Sequence, residues 1–100
     1  DRTGYAHVSA ILADAFPFTG SLQFETAAAL IELGRPRDAV RYSARGTGLE
    51  PRNVNQWLVH AHGLLLAERE RDGRAALQQA LALEPGNPTA RKVLDELGVE

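Results

Sequence analysis

The chain contains no cysteine and no methionine, and aromatic residues make up only 6% of its 100 residues. The absence of cysteine excludes disulfide bonds, cysteine-ligated metal and a cysteine nucleophile. No run of about 18 apolar residues occurs, so we predict no membrane span. The pattern of a signal peptide, a basic segment followed by an apolar one, is also missing. The formal net charge of −2 gives the chain no global attraction for nucleic acid, and we predict no nucleic-acid partner.

Lysine is almost absent as well, because Lys92 is the one lysine beside ten arginines. An arginine bias with abundant alanine and glycine often accompanies a GC-rich genome, and it indicates a bacterial source. Because the chain lacks methionine and opens on Asp1, we expect it to be a piece of a longer protein. The lack of cysteine leaves the compartment unknown, and we favour the cytoplasm.

A repeat with a fixed period is the most informative feature that is present. Pro17, Pro51 and Pro85 are spaced 34 residues apart, and the last two lie within the pentapeptide Leu-Glu-Pro-x-Asn. When residues 20–53 are aligned with residues 54–87 without a gap, nine of the 34 positions are identical. A period of this length is typical of a protein built from stacked repeats.

Each repeat divides into two helical stretches joined by a polar corner. Gly34 and Pro36 mark the first corner, because Gly adopts the left-handed conformation at a helix end and Pro fits the first turn of a new helix. Pro51 and Pro85 close the repeats, because Pro cannot continue a helix. The predicted helix, corner and helix are 22–33, 34–37 and 38–49 in the first repeat and 57–67, 68–73 and 74–83 in the second.

A 34-residue helix–turn–helix unit with this pattern resembles the tetratricopeptide repeat (TPR). The matching residues are Ala27, Leu30, Gly34, Ala39 and Pro51 in the first repeat and Trp57, Ala61, Leu64, Leu77, Ala80 and Pro85 in the second. The departures from the family pattern are Gln23, Thr26, Ser43, Gly46, His60 and Gly73. The resemblance implies an all-α fold, a right-handed superhelical stack of antiparallel helix hairpins with about six helices.

Both ends of the chain fit the same repeat frame, so we predict a single domain over residues 1–100. A helix over residues 3–15 would carry the apolar stripe Tyr5, Val8, Leu12 and Ala15. Because this helix lacks its own partner helix in this chain, we expect the stripe to be exposed. It would then meet either a preceding unit of the intact protein or a second copy of the chain. The predicted parts are 3–19 (the second helix of a preceding repeat), 20–53 and 54–87 (two repeats) and 88–100 (a C-terminal capping helix).

The resemblance also implies a concave groove lined by the first helix of each repeat. The corresponding peptide-binding residues are Phe24, Ile31, Asn55, Leu58, His62 and Leu65. Phe24, Leu58 and Leu65 would form an apolar pocket, and Asn55 and His62 would supply hydrogen bonds. Repeat domains that bind the acidic tails of chaperones clamp carboxylates with basic and amide side chains. Here those places hold Phe24, Ala28, Val59, Thr89 and Val93, so we expect no carboxylate clamp.

Other candidate sites favour a structural interpretation. His60 and His62 would lie about 200° apart on a helix, so we predict that they do not share a metal ion. Trp57 occupies the family position between the two helices of a repeat, and we expect it to pack in the core. No nucleophile elbow and no phosphate-binding loop occurs, so we predict no enzymatic activity, no metal and no cofactor.

Arg37, Arg41 and Arg45 follow one another at helical spacing and allow two interpretations. They could bind phosphate or an acidic partner. They could also form the solvated face of an amphipathic helix, with their stems covering apolar surface, and we favour this second interpretation.

Two functions stay open on the sequence. The first is a protein–protein interaction module that binds a protein or peptide segment in the concave, largely apolar groove. The alternative is a self-association or spacer scaffold segment of a larger bacterial enzyme or membrane protein, with no ligand of its own. A homo-oligomer could form through the N-terminal half-repeat.

Overall fold

The structure is a computed structural model that describes residues 1–98. Within this range the chain forms six helices and no strand: α1 (Arg2–Ala15), α2 (Gly20–Glu32), α3 (Pro36–Leu49), α4 (Val54–Leu66), α5 (Glu70–Leu83) and α6 (Pro88–Leu97). Val99 and Glu100, the end of the predicted capping segment, lie outside the described residues. No helix among the described residues combines the length and the apolar character needed to cross a membrane.

The helices stack as hairpins in chain order. Helix α2 packs on α3 and α4 packs on α5, and the two hairpins meet through α2, α3 and α4. Helix α1 packs on α2, and α6 packs on α5. In repeat terms α2, α4 and α6 are first helices, and α1, α3 and α5 are second helices. The stack measures 38 × 25 × 19 Å along its principal axes.

Small side chains allow the helices to approach closely in the core. Leu64 and Leu77 are each 2% exposed and anchor the second hairpin. Most of the other buried apolar residues are alanines, among them Ala13, Ala27, Ala39, Ala61, Ala80 and Ala90. A core with so many alanines fixes the spacing between helices, because there is little side-chain volume to rearrange.

Two buried glutamines connect successive repeats. The Nε2–H group of Gln23 donates to the carbonyl oxygen of Ala13 at 3.0 Å, and that of Gln56 donates to the carbonyl oxygen of Gly20 at 3.0 Å. Both side chains are almost fully buried. Gln23, a departure from the family pattern, thus satisfies a carbonyl near the end of the preceding helix, where helical partners run out.

The repeated pentapeptide builds the link between repeats. Asn53 and Asn87 are the N-cap residues of α4 and α6, and their side-chain oxygens accept backbone N–H groups at 3.0 and 2.9 Å. The amide nitrogens of the same side chains donate to Glu50 and Glu84 at 3.2 Å. Because Asn53 caps α4, this helix begins at Val54, ahead of the predicted residue 57.

The corner inside each repeat uses one left-handed residue. Gly34 has φ 75°, and Glu68, its counterpart 34 residues later, has φ 63°. The predicted second corner over 68–73 is wrong in extent, because α5 already begins at Glu70. Gly73 lies inside α5, where its missing Cβ leaves space for the side chain of Leu65. Helices α2 and α3 likewise begin at Gly20 and Pro36, ahead of the predicted residues 22 and 38.

The two ends of the stack differ in polarity. Helix α1 buries its small residues Ala6, Ser9 and Ala13, whereas Tyr5 and Val8 are more than half exposed. In α6, Asp95 occupies the position at which α2 and α4 bury Ala27 and Ala61. The C-terminal end of the described chain is therefore polar, and the N-terminal end presents an apolar helix face.

Candidate binding groove

A groove of about 420 Å³ opens between the first helices α2, α4 and α6. We call it the binding groove. Its wall is formed by Phe24 from α2, Asn55, Leu58, Val59, Ala61, His62 and Leu65 from α4, Leu77 from α5, and Thr89 and Val93 from α6. Helix α4 contributes most of these residues because it lies between its two neighbouring first helices.

The structure brings five of the six predicted groove residues together. Phe24, Asn55, Leu58, His62 and Leu65 all line the binding groove. The sixth, Ile31, packs with the first core cluster. Its Cδ1 atom would lie 3.7 Å from a Cβ built on Gly63, because the absence of a side chain there lets α2 and α4 approach.

Apolar side chains dominate the groove. Phe24, Leu58 and Leu65 are half-buried, so part of each apolar surface is open to a partner. Asn55 and His62 are exposed at the rim. None of the described residues that line the groove is Asp, Glu, Lys or Arg. The groove can therefore accept apolar side chains and offer hydrogen bonds, but it offers little charge to recognise.

Leu77 is a groove residue that the sequence did not predict. It comes from the second helix α5, whereas the family pattern draws groove residues from first helices. Its counterpart 34 residues earlier is the much smaller Ser43. Leu77 is buried where it lines the groove. Because Leu77 matches the family pattern, no signal in the sequence distinguished it from an ordinary core residue.

His60 and His62 lie in different surroundings, as expected for residues two apart on a helix. His62 lines the binding groove, whereas Nδ1 of His60 lies 2.6 Å from Oγ of Ser43 on α3. Burial lowers the pKa of His60 and the nearby Arg69 guanidinium lowers it further, with Asp72 acting in the opposite direction, so folding favours the neutral imidazole. The Ser43 hydroxyl donates to the carbonyl of Val40 at 3.2 Å, which leaves its oxygen free to accept the Nδ1–H group.

Trp57 and the three arginines of α3 have distinct placements. Trp57 is half-buried against the second core cluster, and its Nε1–H group donates to the carbonyl of Pro51 at 2.8 Å.

Arg45 of α3 lies towards α1 and pairs with Asp14 at 3.0 Å. Arg37 and Arg41 line a separate cleft. Arg41 also lies 3.7 Å from Asp14, and both Arg41 and Arg45 lie over the ring of Tyr42, whereas Arg37 is exposed.

Comparison with protein-family models and with curated proteins gave no match. Among solved structures, the chain is similar to the Arabidopsis OM64 TPR domain, with a TM-score of 0.83 and 22% sequence identity. The similarity covers 93% of this chain and 77% of that one. It confirms the predicted all-α stack of helix hairpins.

Proposed function

Because the chain has the fold of a TPR domain, we propose that it is a protein–protein interaction module whose binding groove holds a peptide segment of a partner protein. The observation that carries the proposal is an open groove whose described wall residues are uncharged. Three apolar side chains in it, Phe24, Leu58 and Leu65, are only half-buried, so each keeps part of its surface open to a partner. Apolar surface of this kind, rimmed by polar groups, is typical of a peptide-binding site.

The chemistry of the groove defines the partner. Phe24, Leu58 and Leu65 favour a segment that carries two or more apolar side chains at its contact face. Asn55 and His62 at the rim can hydrogen-bond to the backbone of that segment. Since none of the described wall residues is arginine or lysine, the partner is selected by shape and apolar contact rather than by negative charge.

A peptide-display experiment tests the groove directly. We expect wild-type protein to enrich peptides with apolar anchors from a random display library, and to bind the enriched peptides measurably in solution. Leu58→Arg places a charge in the groove and should weaken this binding by about tenfold or more, because the peptide must then bury an unpaired cation. Fluorescence anisotropy with the enriched peptides measures the loss.

Leu66→Arg supplies the matched control for the groove variant. Leu66 is exposed on the same helix but does not line the binding groove. Circular dichroism shows whether both variants keep their helices. If Leu66→Arg weakens peptide binding as much as Leu58→Arg does, or if neither weakens it, the groove is not the binding site.

A second candidate function, self-association, is favoured by the exposed face of α1. Tyr5, Val8 and Leu12 are 55%, 56% and 41% exposed, although their counterparts in α3 and α5 are buried. Monomeric proteins rarely expose contiguous apolar patches of more than a few hundred Å². Because Asp95 makes the matching end of the stack polar, the partner for this face would be α1 of a second copy, related by a two-fold axis.

Analytical ultracentrifugation over a wide range of protein concentration tests this second function. We expect a dimer whose population rises with concentration in the wild type. Val8→Glu should abolish it, because each copy would bury a carboxylate against apolar surface. Leu66→Glu, which adds the same charge on α4, should leave the dimer intact. A wild type that stays monomeric at all concentrations would exclude self-association.

A further inference from the structure

The second helices of the stack form two equivalent clefts. One cleft, of about 420 Å³, lies between α1 and α3, and the other, of about 440 Å³, lies between α3 and α5. Seven lining positions correspond after a shift of 34 residues: Ala6 and Val40, Ala10 and Ala44, Leu30 and Leu64, Arg35 and Arg69, Asp38 and Asp72, Arg41 and Ala75, and Tyr42 and Ala76. None of the described residues that line these two clefts also lines the binding groove.

The two clefts differ in charge. The first, which we call the arginine cleft, is lined by Arg35, Arg37 and Arg41 and by one acidic residue, Asp38. The second cleft has a single Arg and a single Asp among its described lining residues, Arg69 and Asp72. The described lining of the arginine cleft therefore has an excess of two positive charges, whereas the single Arg and Asp of the equivalent cleft one repeat later cancel.

The guanidinium groups of the arginine cleft remain available to a ligand. Within residues 1–98, Arg37 forms no ion pair. The pair between Arg35 and Asp38, at 2.7 Å, is more than half exposed on both sides and holds Arg35 only weakly. Arg41 donates to the Tyr42 hydroxyl at 2.6 Å, lies 4.7 Å above the Tyr42 ring and is 3.7 Å from Asp14. Its side chain is 63% exposed, and its other guanidinium N–H groups can still donate to a ligand.

The cleft has an apolar floor beneath these charges. Ala6 and Leu30 are buried at its base, and Ala10 and Leu33 are half-buried beside them. Guanidinium groups bind carboxylates through paired, charge-assisted hydrogen bonds. An apolar floor beneath several guanidinium groups matches a ligand in which carboxylates flank an apolar side chain.

We propose that the arginine cleft binds an acidic peptide segment, with two carboxylates paired to its arginines and an apolar side chain resting on its floor. The excess of two positive charges matches two carboxylates. This surface is formed by α1, α2 and α3 and is distinct from the binding groove, so the protein has two recognition faces of different chemistry.

A synthetic peptide of alternating glutamate and leucine, labelled with a fluorophore, is the probe. We expect it to bind the wild-type protein in fluorescence anisotropy, with an affinity that falls as salt is added. Arg37→Gln should weaken binding by about tenfold, the loss that corresponds to one charge-assisted hydrogen bond. Because Arg37 is exposed and forms no ion pair within residues 1–98, the substitution should leave the fold intact.

Arg71→Gln is the matched control, since Arg71 is exposed and occupies the position of Arg37 one repeat later. It should leave the affinity unchanged, as should Leu58→Gln in the binding groove. A second probe, with glutamine in place of glutamate, should not bind. The proposal is overturned if Arg71→Gln weakens binding as much as Arg37→Gln, if Leu58→Gln abolishes it, or if the glutamine probe binds equally well.

Discussion

Gly46 and Gly48 illustrate how surroundings decide the role of a single residue. Both lie near the end of α3. A Cβ on Gly46 would collide with the side chain of Gln56, which is buried and donates to Gly20 and Glu50. A Cβ on Gly48 would meet no atom of the described residues within 4 Å, apart from the adjoining residues and backbone of its own helix.

Alanine substitutions at these two glycines should have opposite effects on stability. Gly46→Ala should lower the free energy of unfolding by about 1–3 kcal/mol, because Gln56 must move from a well-packed site. Gly48→Ala should raise it by up to about 1 kcal/mol, because alanine loses less backbone entropy in a helix. Urea denaturation of both variants measures the difference. Equal effects would show that the contact with Gln56 does not constrain Gly46.

The sequence could identify unusual residues but not what they contact. Ser43 and His60 both depart from the family pattern, yet their 2.6 Å contact joins helices from different repeats. Ile31 was predicted in the groove because its family position faces that side. Ile31 is half-buried against the first core cluster, beside Gly63 of α4, and it does not line the binding groove. The sequence alone does not give the spacing between α2 and α4 at that point.

At the scale of helices, the linkers between repeats were the most predictable part. Leu-Glu-Pro-x-Asn combines a residue that ends a helix with one that caps the next, and both functions depend on local geometry. The start of α5 was less predictable. The sequence pattern places Gly73 in a corner, but the residue lies inside α5, where the side chain of Leu65 from α4 occupies the space beside it. A helical glycine with a packing role is hard to distinguish from a turn glycine without the neighbouring helix.

In helix α1, the apolar stripe of the sequence does not identify the face that packs in the fold. Its stripe of Tyr5, Val8 and Leu12 is the more apolar face, but the face that packs on α2 is formed by Ala6, Ser9 and Ala13. Small residues allow α1 to pack closely, whereas hydrophobicity alone favours the larger ones. The repeat frame, rather than apolar character, identified the exposed side.

For the whole molecule, the neutral state of His60 links stability to pH. Burial lowers its pKa in the folded chain, whereas an unfolded chain has a histidine pKa of about 6.5. Between these two values the unfolded state binds more protons than the folded state. The free energy of unfolding must therefore fall as pH decreases through about 6.5, and this contribution levels off below the folded pKa.

Replacing His60 should remove that contribution. We expect His60→Gln to give a flatter dependence of stability on pH below about 6.5 than the wild type, in urea denaturation at a series of pH values. His62→Gln, on the exposed face of the same helix, is the control and should keep the wild-type slope. A slope that persists unchanged in His60→Gln would contradict the assignment.

The fold as a whole was predictable because its signal is periodic. Three prolines spaced 34 residues apart fix the repeat length, and the repeat length fixes which helices are neighbours. The arginine cleft was not predictable in the same way. Arg35 precedes α3 and Arg41 lies within it, and the floor of the cleft comes partly from α1, so the site exists only once the helices are stacked.

The linear order of the stack also determines how the protein opens. In a chain of repeats, each unit is stabilised by its own contacts and by those with its immediate neighbours. Helices α3 and α4 have neighbours on both sides, whereas α1 and α6 each end the described stack. Local unfolding should therefore spread inwards from the two end helices, and the backbone amide protons of α3 and α4 should be the last to exchange with deuterium in solvent.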